Sequence, residues 1–149
     1  VLIGGATPRT RSNVATAVLS PIESGRTALC ATYTHEMADS LPEITVDDVD
    51  ALVATGAFLL DVRENDEWAA GRAPQASHIP LGLLGDRARE LPTDVTILCM
   101  CKAGGRSARA TTALREAGLD AVNVAGGMLA WAAAGLPLFD ERGEPGSVI

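Results

Sequence analysis

An apolar run in the stretch ILCMCKAGGRSAR (Ile97–Arg109) ends in two cysteines, Cys99 and Cys101. Lys102, a glycine pair at Gly104 and Gly105, and Arg106 follow the second. These residue types suit one kind of chemistry. Cysteine is nucleophilic as the thiolate, and cations or the amino end of a helix favour that form. A glycine pair lets the chain take positive φ, so that successive backbone N–H groups turn inward as an anion nest. Cys101 is therefore the candidate nucleophile. Lys102, Ala103, Gly104, Gly105 and Arg106 are the candidate cradle for an anionic group. A buried thiol beside an ordinary surface turn is the plainer alternative, and the Gly-Gly-Arg loop at a strand–helix junction weighs against it.

A loop of this kind needs a strand before it and a helix after it. Val95–Met100 has the apolar continuity of a buried parallel strand, and Ser107–Ala117 has helical periodicity. On that helix Ala110, Ala113, Leu114 and Ala117 share one face, Arg109 and Arg115 turn away, and Gly118 stands at the expected cap. Upstream, Thr45 and Asp48 form an acidic variant of a capping box ahead of Val46, Val49, Leu52 and Val53, and Gly56 closes that helix. Ala57–Val62 reads as a second buried strand and Glu64–Gly71 as a short helix. SHIPLGLL (Ser77–Leu84) begins with a brief extended piece that Pro80 confines to an edge, and a helical stretch over Gly82–Glu90 follows. Ala121–Gly127 supplies a last strand and Leu129–Ala134 a last helix. Strands alternating with helices make an α/β fold with a parallel sheet covered on both faces. Ligands of such sheets bind beyond the carboxyl ends of the strands, where Cys101 falls.

Composition narrows the classes. The chain has 149 residues, 47% of them hydrophobic and 21% charged, as in a globular protein with one sizeable core. A net charge of -7 with no basic block excludes a nucleic-acid surface, so the cations near Cys101 are a local feature. No apolar run has the length of a membrane span. Three cysteines, Cys30, Cys99 and Cys101, are too few and too unevenly spaced for a disulfide framework, and a cytoplasmic location is expected. His35 and His78 lack ligand spacing to the cysteines, so no metal is expected. Residues 1–40 mix Gly, Pro, Ser, Thr and Arg without sustained periodicity and read as a poorly ordered extension, with a short helix at most over Asn13–Leu19. The domain is expected over residues 41–139, with a tail over 140–149. A start at Val1 without Met also fits a fragment of a larger protein.

At this point three ordered motifs resemble one family. CKAGGRS (Cys101–Ser107) resembles the C-[RK]-x-G-x-R-S active-site loop of rhodanese-like sulfurtransferases. LLDVRENDEWAAG (Leu59–Gly71) resembles the family's aspartate-valine-arginine segment and the helix after it. NVAGGMLAWAAAGLPL (Asn123–Leu138) resembles its G-G-x-x-A-W-x-x-A-G-x-P signature. The resemblance covers residues 42–139 and implies a single domain with a five-stranded, mainly parallel sheet and helices on both faces. It implies that Cys101 carries sulfur as a persulfide, taken from an anionic donor such as thiosulfate and passed to cyanide or a thiol. The loop amides from Lys102 to Arg106 would cradle the sulfur, with no metal or organic cofactor. One departure stands out. Where the family has G-H-I-P-G-A, this chain has GRAPQASHIP, with Arg72 in place of the histidine and Gln75 in place of a glycine. A second HIP follows at His78–Pro80, so two alignments remain open.

Other residues carry paired readings. Asp61 and Arg63 are candidate substrate groups at a strand end; alternatively Asp61 orders the backbone and Arg63 forms an ion pair. Lys102 either binds the donor or points to solvent, and Arg106 either adds positive potential or pairs with an acid. Cys99 shares a face with Cys101 and reads as core rather than as a resolving thiol. Trp68 and Trp131 read as packing residues and His78 as structural. Two other functions compete with small-molecule sulfur transfer. One is a persulfide carrier that hands sulfur to a partner protein. The other is phosphatase or arsenate-reductase chemistry, whose loops use C-x5-R; the spacing from Cys101 to Arg106 is C-x4-R, a smaller bowl suited to a sulfur atom.

Overall fold

The structure, a computed structural model, describes residues 40–149. Cys30, His35 and the expected extension with its short helix lie outside these residues, except for Ser40. Five strands form one sheet: β1 (Glu43–Ile44), β2 (Phe58–Asp61), β3 (Ser77–His78), β4 (Ile97–Met100) and β5 (Ala121–Val124). Their order is β1-β5-β4-β2-β3 and every pairing is parallel, which is the α/β class expected from the sequence. β4 is the central strand, and Cys101 leaves its carboxyl end.

Strand alternation divides the core in two. Leu60, Val62, Ile97, Cys99 and Ala121 pack against Ala110 and Leu114 of α4 (Gly105–Glu116) and Leu84 of α3 (Leu84–Arg87). Leu59, Leu98, Met100 and Val124 pack on the opposite face against Val46 and Val49 of α1 (Val46–Ala54) and Met128 and Trp131 of α5 (Gly127–Ala133). Trp131 is fully buried and its indole N–H donates to the Pro137 carbonyl at 2.9 Å, so the packing role expected of it holds. β3 stays at the edge for the reason the sequence suggests. Ile79 and Leu81 donate to the carbonyls of Asp61 and Val62, whereas Pro80 between them has no N–H to offer.

Several local expectations change. Thr45 is the α1 N-cap, but its hydroxyl donates to the Asp48 carboxylate at 3.1 Å and makes no bond to the helix amides. A reciprocal capping box forms instead on α2 (Asn65–Ala70), between Glu64 and Glu67. The helical stretch expected over Gly82–Glu90 is present, as α3 flanked by 3-10 turns at Leu81–Leu83 and Ala88–Glu90. On α4 the buried face is Ser107, Ala110, Thr111 and Leu114, while Ala113 and Ala117 are exposed. A polar side chain can occupy that face because the Thr111 hydroxyl donates to the Ser107 carbonyl at 2.9 Å. The segment read as a tail folds back: the Ser147 amide donates to the Ala70 carbonyl, and Val148 packs against the core. A side chain at Gly71 would collide with the Ser147 backbone, which accounts for glycine there.

Candidate active site

Two chain reversals build the site, and each needs glycine. Between Cys101 and α4 the chain passes through Gly104 at φ +103. That residue turns its amide back onto the Cys101 Sγ, 3.1 Å away. Gly105, the other half of the pair, is already the first residue of α4. The second reversal is Gly126–Gly127, at φ +73 and +54. A side chain on Gly127 would run into the Cys101 carbonyl. This close approach lets the amides of Met128 and Leu129 take the carbonyls of Cys101 and Lys102, at 2.8 and 2.9 Å. With those carbonyls held outward by α5, the loop presents N–H groups to the sulfur.

The two cysteines separate by environment. Cys101 is 1% exposed. Burial by itself raises its thiol pKa, but the Ser107 hydroxyl and the amides of Ser107, Gly104 and Ala103 outweigh burial, and the net shift is downward. The Ser107 hydroxyl lies 3.3 Å from Sγ and 3.1 Å from the Gly104 carbonyl, so its single proton can serve either acceptor. For Cys99 burial dominates, only partly offset by the Thr111 hydroxyl, and its thiol is pushed up to about 11. Cys99 is thus a core residue and stays protonated at neutral pH. A depressed thiol keeps its reactivity as pH falls below the free-cysteine range of about 8.5. Alkylation of Cys101 by iodoacetamide is therefore expected to rise with pH and level off early. In Ser107→Ala the curve is expected to move to higher pH, with the rate at neutral pH down about fivefold. An unchanged curve would show that the amides alone hold the thiolate.

The charged candidates resolve into pairs. Arg106, expected to add positive potential or to meet an acid, makes a two-pronged ion pair with Glu67 of α2, both N–O distances 2.6 Å. That bond is the main reason the Glu67 carboxyl lies below its usual range. Lys102 is half-buried and pairs with no carboxylate among the described residues. Asp61 and Arg63 do not fit the substrate-binding role. Both are fully buried, and Arg63 is bonded to both Asp61 carboxylate oxygens and to the carbonyls of Glu67 and Gly71. Asp61 also accepts the Arg63 amide at 3.0 Å, so it orders backbone as the alternative reading had it. His78 in β3 meets the Arg63 carbonyl at 2.7 Å and stacks on Trp68, with ring centroids 4.7 Å apart. These contacts bear out the structural reading of both. α2 runs directly into Gly71-Arg72-Ala73-Pro74, and the Arg72 guanidinium lies over the Trp68 ring at 5.1 Å. Two contributors escaped the sequence reading. Ser107 was legible as the last residue of its motif and a natural donor to sulfur. Glu67 carried no local sign of its partner, 39 residues away.

Residues 45–134 match the rhodanese-like domain family. A sulfurtransferase of Allochromatium vinosum is 35% identical over 107 residues, which cover 71% of this chain and 94% of that one. Among solved structures, a rhodanese-related protein from Thermoplasma volcanium superposes with a TM-score of 0.63 at 31% identity, covering 67% of this chain and 99% of its own. A thiosulfate sulfurtransferase from Pseudomonas aeruginosa gives 0.62 at 26% identity over 73% of this chain, but only 22% of that longer protein. With its five parallel strands and its cysteine loop closed by α4 and α5, the chain belongs to the rhodanese-like domain family.

Proposed function

We propose that this domain moves a sulfane sulfur from an anionic donor to a thiophilic acceptor through a persulfide on Cys101. The observation that carries the reading is the position of Sγ at the mouth of the central strand, within reach of the Gly104 amide and the Ser107 hydroxyl. In the first half-reaction the Cys101 thiolate attacks the outer sulfur of thiosulfate. An Sγ–S bond forms, the donor's S–S bond breaks, and sulfite leaves with the electron pair. In the second, cyanide or a thiolate attacks the outer persulfide sulfur, the Sγ–S bond breaks, and the Cys101 thiolate returns. The loop amides and the amino end of α4 stabilise negative charge on whichever sulfur carries it. With the thiolate 1% exposed, a donor meets it by a terminal atom, as the outer sulfur of thiosulfate does. Splitting one transfer into two in this way gives ping-pong kinetics.

The test is intact-protein mass spectrometry after exposure to thiosulfate. The expected result is one added sulfur atom, mapped to Cys101 and removed by cyanide with release of thiocyanate. An unchanged mass together with no thiocyanate would overturn the reading.

A further inference from the structure

We infer that Glu67 sets the charge class of the sulfur donor, by neutralising Arg106 so that the site prefers donors with one negative charge over dianions. The inference rests on the persulfide reading of Cys101 and concerns which donor suits it best. Two cations flank the thiolate in sequence, and two would suit a dianion such as thiosulfate. Of these two cations, Lys102 alone keeps its charge unopposed by a carboxylate among the described residues, because both prongs of the Arg106 guanidinium close on the Glu67 carboxylate. Glu67 cannot easily turn away. It is 9% exposed, and its Oε2 also accepts the Glu64 amide at 3.0 Å in the capping box. Arg63 offers no replacement charge, since Asp61 neutralises it within the core. The formal charges of Lys102, Arg106, Glu67 and the Cys101 thiolate then sum to zero, which leaves no net positive charge to offset the second charge of a dianion. The favoured class is a monoanionic sulfane donor, an organic persulfide or a thiosulfonate.

Donors differing in charge test this. Thiosulfate is a dianion and benzenethiosulfonate a monoanion, and both offer an outer sulfur to the thiolate. Attack on the second forms the same persulfide and releases benzenesulfinate with the electron pair. The readout is the ratio of kcat/KM for thiosulfate to that for benzenethiosulfonate, in which differences in folded fraction cancel. Glu67→Gln keeps the size of the side chain, removes its charge and leaves Arg106 positive. It is expected to raise the ratio about fivefold, through the KM for thiosulfate; the partial exposure of Arg106 keeps the effect from being larger. The double variant Glu67→Gln with Arg106→Gln removes both charges and is expected to return the ratio to that of the unaltered protein. If Glu67→Gln does not fold, Arg106→Gln supplies the converse, since an unpaired Glu67 carboxylate should lower the ratio. A ratio unmoved in every folded variant overturns the inference while leaving sulfur transfer intact. Loss of the Cys101 requirement would instead overturn the reading beneath it.

Discussion

Cys101→Ser is expected to lower thiocyanate formation from thiosulfate and cyanide about a thousandfold or more, with the fold intact. The side chain is 1% exposed and changes by one atom, so packing against Leu60, Val62 and Ala110 is nearly conserved. What disappears is the chemistry. A serine hydroxyl stays protonated in a cradle built to hold an anion, because hydrogen bonds that tip a thiol toward ionisation fall far short for an alcohol. No persulfide can form on it, so the added sulfur seen by mass spectrometry should be absent. Cys99 is not expected to substitute, since burial holds it protonated. Thiocyanate formed by the serine variant at a rate near that of the unaltered protein would place the nucleophile elsewhere.

The largest effect on stability is expected at Arg63. Arg63→Met removes the buried partner of Asp61, 2.7 Å away, and leaves a carboxylate with no exposure facing apolar surroundings. Breaking a buried pair by removing one side costs about 3–5 kcal/mol. The carbonyls of Glu67 and Gly71, at 3.1 and 2.7 Å, also lose their donor. Those carbonyls belong to α2, the helix that carries Glu67, and to its C-cap Gly71, so the damage should reach the cysteine loop through the Glu67–Arg106 pair. Urea denaturation would show a lower midpoint. Pairing Arg63→Met with Asp61→Asn should recover part of the loss, because the stranded charge goes as well. A variant of normal stability with a raised KM for thiosulfate would return Arg63 to the substrate-binding role.

How legible the molecule was depends on the range of each interaction. The central strand, the Gly104 reversal and α4 were readable because apolar runs, glycine and helical periodicity act within a few residues. Cys101 stood out for the same reason: its stabilising amides come from the residues that immediately follow it. The α4 face was misassigned because periodicity ranks alanine above threonine, while Thr111 satisfies its hydroxyl on its own helix. The capping box was placed on the wrong helix because Thr45–Asp48 and Glu64–Glu67 have the same spacing. Which pair closes depends on side-chain geometry rather than on residue type.

By itself the sequence determined the class of fold, the choice of Cys101 as the candidate nucleophile and the length of the loop after it, since all three follow from neighbouring residues. Only the tertiary structure decided what the charges do. Arg106 could have faced a donor, yet α2 brings Glu67 to it across 39 residues of chain. Arg63 could have faced a donor as well, yet it is fully buried, bound to Asp61 and to the carbonyls of Glu67 and Gly71. A charge is free or spent according to what folding places within about 4 Å of it, and that distance is set by the packing of helices on the sheet.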